Sequence, residues 1–147
     1  MNWEKERNSK YSLMTKINEI AIIDDDAITV FGLKKLISTY VECNSIQSYE
    51  NGKIALDGII EKIDHEQQIP DILFLDINMP IMDGWEFLDA FLKIPISAKI
   101  RINIVTSSID PYDKKQWEFY KTKTHHLITF NLKPIDKNII TEITKVA

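Results

Sequence analysis

From Ile17 onward, short apolar runs alternate with longer stretches in which apolar residues recur every three or four positions. The runs at residues 17–23, 72–75, 100–105 and 127–132 are rich in isoleucine, leucine, valine and phenylalanine and predict strands. The second of them, Ile72-Leu73-Phe74-Leu75, is apolar at every position, as a strand covered on both faces must be, and is expected at the centre of a sheet. A weaker strand at residues 43–48 carries more polar side chains and is expected nearer an edge. Between the strands, Ile28, Phe31, Leu36, Ile37 and Tyr40 fall at helical spacing within residues 27–40, and Ile54, Ala55, Ile59 and Ile63 within residues 51–63.

Three further helices announce themselves by their start signals. Asp83-Gly84-Trp85-Glu86 has the form of a capping box and opens a helix running to about Lys93. Asp110 followed by Pro111 opens another that continues through Trp117 and Tyr120. The last follows Pro134, with Asp136 as its cap. Five strands and five helices in alternation, joined by right-handed crossovers, predict an α/β fold with an open, doubly wound five-stranded parallel sheet.

Ligands of such sheets bind beyond the carboxyl ends of the strands, so the residues there matter most. The first strand runs into Asp24-Asp25-Asp26, the third into Asp76, the fourth into Thr106 and the fifth into Lys133. Carboxylates gathered in one place repel one another and raise their own pKa values unless a cation neutralises them. Oxygen donors without histidine or cysteine nearby favour Mg²⁺ over zinc. Taken alone, an acidic run of this kind is more often a solvated turn, and Asp26 is read as a helix cap.

Composition narrows the field. The 147 residues, 44% of them hydrophobic, suit one domain and leave no room for a second, so the chain divides into a flexible N-terminal extension over residues 1–15 and a domain over residues 16–147 without an output domain. The net charge of −4 provides no basic field for nucleic acid or anionic lipid. The N-terminal segment is too polar for a signal peptide or a membrane span, which implies a cytoplasmic protein. A single cysteine, Cys43, reads as a small half-buried apolar residue. Lys121, Lys123, His125 and His126 read as cations complementing the end of a helix, and His65 as a residue of a polar loop.

The segments Ile22-Ile23-Asp24-Asp25-Asp26, Leu73 to Gly84, Val105-Thr106-Ser107 and Lys133-Pro134 occur in order at successive strand ends. Over roughly Lys16 to Ala147 the chain resembles the response-regulator receiver family of two-component phosphorelay signalling. The resemblance implies a CheY-like, flavodoxin-like sheet of order 2-1-3-4-5. It makes Asp76 the phosphoacceptor, Asp25 and Asp76 direct Mg²⁺ ligands, Asp24 an acidic partner acting mainly through water, and the backbone carbonyl of Asn78 a third protein ligand. Thr106 would supply a hydroxyl and Lys133 an ammonium to the phosphoryl group, and Lys133-Pro134 matches a peptide that is often cis. Thr106 and Phe130 occupy the switch positions; Phe130 stands where the family often has tyrosine, so a phenolic hydrogen bond is missing. The implied partners are a histidine kinase or histidine phosphotransfer protein, and downstream a protein target or a second copy of the chain, with Trp117 and Tyr120 as candidate contacts.

Other readings fit less well. A phosphatase of the haloacid-dehalogenase type needs a second aspartate two positions after the first, where this chain has Asn78. An interaction module that has lost its chemistry has no need of the whole set Asp24, Asp25, Asp76, Thr106 and Lys133. Flavodoxin-like cofactor binding lacks a phosphate loop after the first strand.

Overall fold

A computed structural model describes residues 17–145 and Ala147. The expected N-terminal extension therefore lies outside the described residues. The elements run β1 (Ile17–Ile23), α1 (Ala27–Tyr40), β2 (Cys43–Tyr49), α2 (Gly52–Asp64), β3 (Ile72–Leu75), α3 (Gly84–Phe91), β4 (Arg101–Thr106), α4 (Pro111–Lys121), β5 (Leu127–Leu132) and α5 (Lys137–Ile143). All strand pairings are parallel, and the sheet order is β2-β1-β3-β4-β5. β3 lies at the centre, fully buried, and polar β2 forms one edge.

Strand side chains alternate between two apolar layers. Ala21, Ile23, Leu73, Leu75, Ile102 and Ile104 pack with Ala55 and Ile59 of α2 and with Phe87, Leu88 and Phe91 of α3. On the opposite face Ile20, Ile22, Ile72, Phe74 and Val105 meet Leu33 and Ile37 of α1 and Ile140 and Ile143 of α5. Burial on both faces explains why β1 and β3 read as nearly continuous apolar runs. Four helices start on the caps expected of them: Asp26, Asp83, Asp110 and Asp136 accept from backbone amides of the first turn, and Asp83 with Glu86 completes a capping box; α2 starts on Asn51, which caps it in the same way.

Several expectations need correction. β4 begins at Arg101 rather than at Ile100 and includes Thr106. α1 buries Leu33 and Ile37, whereas Ile28 and Phe31 are 82% and 70% exposed. Trp117 and Tyr120, the candidate contacts on α4, are half-buried and engaged within the domain. The Trp117 indole donates to the carbonyl of Ile128 at 2.9 Å and packs on Phe130, and Tyr120 stacks on Trp85 at 5.9 Å.

His126 is no solvated cation either. It is buried, its Nδ1 accepts from the amide of Ile100 at 2.9 Å, and its ring lies against Phe91 and His125. Burial first, and then the neighbouring imidazole, lower its pKa to about 4. The unfolded chain thus binds the His126 proton at higher pH than the folded chain. Stability from this residue is complete above pH 6.5 and is lost as pH falls from there towards 4, by about 1–2 kcal/mol once solvent screening is allowed for. Urea titrations across that range should show the acid-side loss in the wild type and a smaller one in His126→Asn; equal losses would contradict the assignment.

Candidate functional site

The strand ends bring the acidic residues into one pocket. Asp24 follows β1 and Asp76 follows β3; their backbone amides donate to the carbonyls of Tyr49 at 3.1 Å and Ile23 at 2.9 Å, which fixes both relative to the sheet. Carboxylate oxygens of Asp24, Asp25 and Asp76 lie within 4.8 Å of one another. Asp24 and Asp76 are buried and Asp25 is exposed, so the cluster opens to solvent on one side.

Lys133, just after β5, reaches across this opening, its Nζ 3.2 Å from Asp24 Oδ2 and 3.7 Å from Asp76 Oδ1. The Lys133-Pro134 peptide is cis. Thr106 is fully buried at the end of β4, and its carbonyl accepts from the Lys133 amide at 2.9 Å, tying the two strand ends together. Asn78 is exposed in the loop after Asp76. Asp26 stands apart as a cap: its Oδ1 accepts from the Ile28 amide and its Oδ2 from the Thr29 hydroxyl, and these bonds lower its pKa.

Electrostatically the pocket is short of positive charge. Asp76 is raised to about pKa 6, first by burial and then by Asp24, against the opposing pull of Lys133 and of the Ile77 amide that donates to its Oδ1. Three clustered carboxylates facing one ammonium are a donor set suited to a divalent cation with oxygen ligands.

Gly84 brings α3 against the nucleophile candidate. A Cβ on this residue would lie 2.3 Å from the carbonyl oxygen of Asp76 and 2.8 Å from Ile77 Cα. The Gly84 amide donates to the Ile77 carbonyl at 2.8 Å, closing the loop between β3 and α3. Within that loop Ile81 takes φ 73° and points 80% of its surface to solvent.

A family model for the response regulator receiver domain matches residues 20–145. The chain belongs to the response-regulator receiver family. Among curated proteins it is 31% identical over 127 residues to an uncharacterised response regulatory protein of Vibrio cholerae, covering 86% of this chain and 43% of that protein. It is 32% identical over 88 residues to the nitrate/nitrite response regulator NarL of Escherichia coli, covering 60% of this chain and 38% of NarL. The receiver thus spans less than half the length of these relatives. Among solved structures, a two-component response regulator from Cytophaga hutchinsonii superposes with a TM-score of 0.75 at 29% identity, over 87% of this chain and 94% of that one. The CheY-like fold and the two-component family expected from the motifs both hold.

Of the residues singled out at the strand ends, Asp24, Asp25, Asp76 and Lys133 come together in this pocket, and Thr106 is tied to it through the bond from the Lys133 amide to its carbonyl. Phe130 lies further along β5, packed on Trp117 with ring centroids 5.9 Å apart. The sequence reading missed Ser108, Asp113 and Trp85, whose hydrogen bonds meet beside Thr106. No spacing rule joins them, since Trp85 and Asp113 are 28 residues apart.

Proposed function

We propose that this receiver accepts a phosphoryl group on Asp76 from a phosphohistidine of a histidine kinase or histidine phosphotransfer protein. The observation that carries the reading is the cluster of Asp24, Asp25 and Asp76 with the Lys133 ammonium 3.7 Å from Asp76 Oδ1. Asp24, Asp25, Asp76 and the backbone carbonyl of Asn78 would hold Mg²⁺, which when bound offsets carboxylate charge and takes phosphoryl oxygens as ligands.

Asp76 acts as the nucleophile: its carboxylate oxygen bonds to phosphorus as the bond from phosphorus to the histidine nitrogen breaks. Lys133 neutralises charge on the transferred group, and the Thr106 hydroxyl donates to one of its oxygens. Such a transfer asks the protein chiefly for alignment and charge stabilisation. Phosphorylation then biases a two-state surface around Thr106, Phe130 and α4 that is read by a protein target or a second copy of the chain. In this reading the domain over residues 16–147 turns over no external metabolite and binds neither nucleic acid nor membrane. A cytoplasmic location accords with the finding that no helix among the described residues is long and apolar enough to cross a membrane.

Incubation with acetyl phosphate and Mg²⁺ should add one acid-labile phosphoryl group, located on Asp76 by peptide mapping, and excess chelator should prevent it. Undiminished labelling in chelator would remove the metal from the reading, and a label on another residue would remove Asp76.

A further inference from the structure

A chain of hydrogen bonds encloses the far side of Thr106. The Ser108 amide donates to Thr106 Oγ1 at 3.0 Å. The Ser108 hydroxyl donates to Asp113 Oδ2, and the indole of Trp85 donates to Asp113 Oδ1 at 2.9 Å. Asp113 is buried in the first turn of α4, and Trp85 directly follows the glycine that abuts the Asp76 carbonyl. The carboxylate therefore joins three elements: α3 beside the acceptor, α4, and the loop after β4. An aspartate buried in this way holds its position through both oxygens, and the groups bonded to it are held with it.

This arrangement bears on Thr106 because of what it leaves free. Oγ1 takes the Ser108 amide as its donor, and no acceptor among the described residues takes the hydroxyl proton. Fixing the amide restricts rotation about the Thr106 side chain and keeps that proton available for an oxygen outside the protein. We infer that Asp113 is a positioning residue for phosphoryl transfer: through the Ser108 hydroxyl it fixes the Ser108 amide, which in turn orients the Thr106 hydroxyl for the phosphoryl group on Asp76. Trp85 anchors Asp113 from α3, so acceptor and hydroxyl are referred to one frame. The inference rests on the phosphoryl-transfer reading for its consequence, and on the hydrogen bonds alone for the positioning itself.

The first readout needs no phosphoryl chemistry. Amide hydrogen exchange of the full chain should show Ser108 protected, with protection falling about tenfold in Ser108→Ala and Asp113→Ala, and in Trp85→Phe, which keeps an aromatic ring against Tyr120. The second readout is affinity for beryllium fluoride in the presence of Mg²⁺, followed by tryptophan fluorescence. Ser108→Ala and Asp113→Ala should each weaken it about five- to tenfold, the size of one oriented hydrogen bond. In a Thr106→Ala background, where there is no hydroxyl to orient, the same substitutions should change it less than about twofold, which is the signature of coupling. Equal losses in both backgrounds, or unchanged Ser108 protection in the variants, would overturn the inference and leave Asp113 a stabilising residue only. Ser108 protection that depends on Asp113 in a wild type that binds no beryllium fluoride would uphold the positioning and overturn the proposed function.

Discussion

Asp76→Asn should abolish phosphorylation by acetyl phosphate and at the same time make the protein more stable at neutral pH. Loss of the label follows from loss of the nucleophile, since an amide oxygen cannot form the acyl phosphate. The gain in stability follows from the raised pKa of about 6, caused first by burial and next by Asp24. The folded chain holds the Asp76 proton to higher pH than the unfolded chain, whose group titrates near 3.8. Stability from this residue is therefore greatest below that value, declines as pH rises through about 6, and stays reduced above it. Asparagine keeps the shape and removes the charge. The expected gain at pH 7 to 8 without divalent cation is about 1–2 kcal/mol, after allowing for the solvent that reaches the pocket. Urea unfolding in chelator measures it, and a variant less stable than the wild type would refute the electrostatic account. The slope from Asp76 is opposite in sign to that from His126, so the variant should also lose stability on acidification more steeply than the wild type.

Gly84→Ala should damage both the fold and the chemistry. Alanine usually favours a helix over glycine by about 1 kcal/mol. Here its Cβ would lie 2.3 Å from the Asp76 carbonyl oxygen and 2.8 Å from Ile77 Cα, both backbone atoms with no rotamer to yield. The clash is relieved only by moving α3 or the acceptor loop, and overpacking of this kind costs about 1–3 kcal/mol. The expected result is a net loss of about 2 kcal/mol in urea unfolding, with phosphorylation slowed at least tenfold because Asp76 shifts relative to Lys133. An alanine variant as stable and as readily phosphorylated as the wild type would show that the α3 N-terminus is not held against Asp76.

Much of this fold was legible because the strands are bounded by punctuation and the inner ones, β1 and β3 above all, are covered on both faces. Three of the five strands, β1, β3 and β5, fall on the residues expected. The four aspartate caps were equally plain, because an aspartate before an apolar repeat has a local physical cause. The α1 face was misread for the opposite reason. Apolar residues occur around more than one side of this helix, so spacing alone did not distinguish Ile28 and Phe31, which are exposed, from Leu33 and Ile37, which touch the sheet. His126 was misread because its burial depends on the amide of Ile100, a partner 26 residues away. The strand-end carboxylates could be placed from topology, whereas the Trp85, Asp113 and Ser108 bonds depend on how α3 and α4 meet, and that is set by tertiary packing.

The polar composition of β2 has a consequence for behaviour at high concentration. As an edge strand it presents one row of backbone donors and acceptors without a neighbouring strand among the described residues, a template on which another chain could extend. Asn44, Gln47 and Ser48 are exposed along it, and none of the three offers an apolar surface to a second strand. A strand laid against this edge would form its ladder hydrogen bonds but bury little apolar area, so growth of the sheet from the β2 edge is weakly driven. At the opposite edge β5, Leu127–Leu132, is the more apolar strand, and a second chain added there would bury more apolar surface than one added to β2.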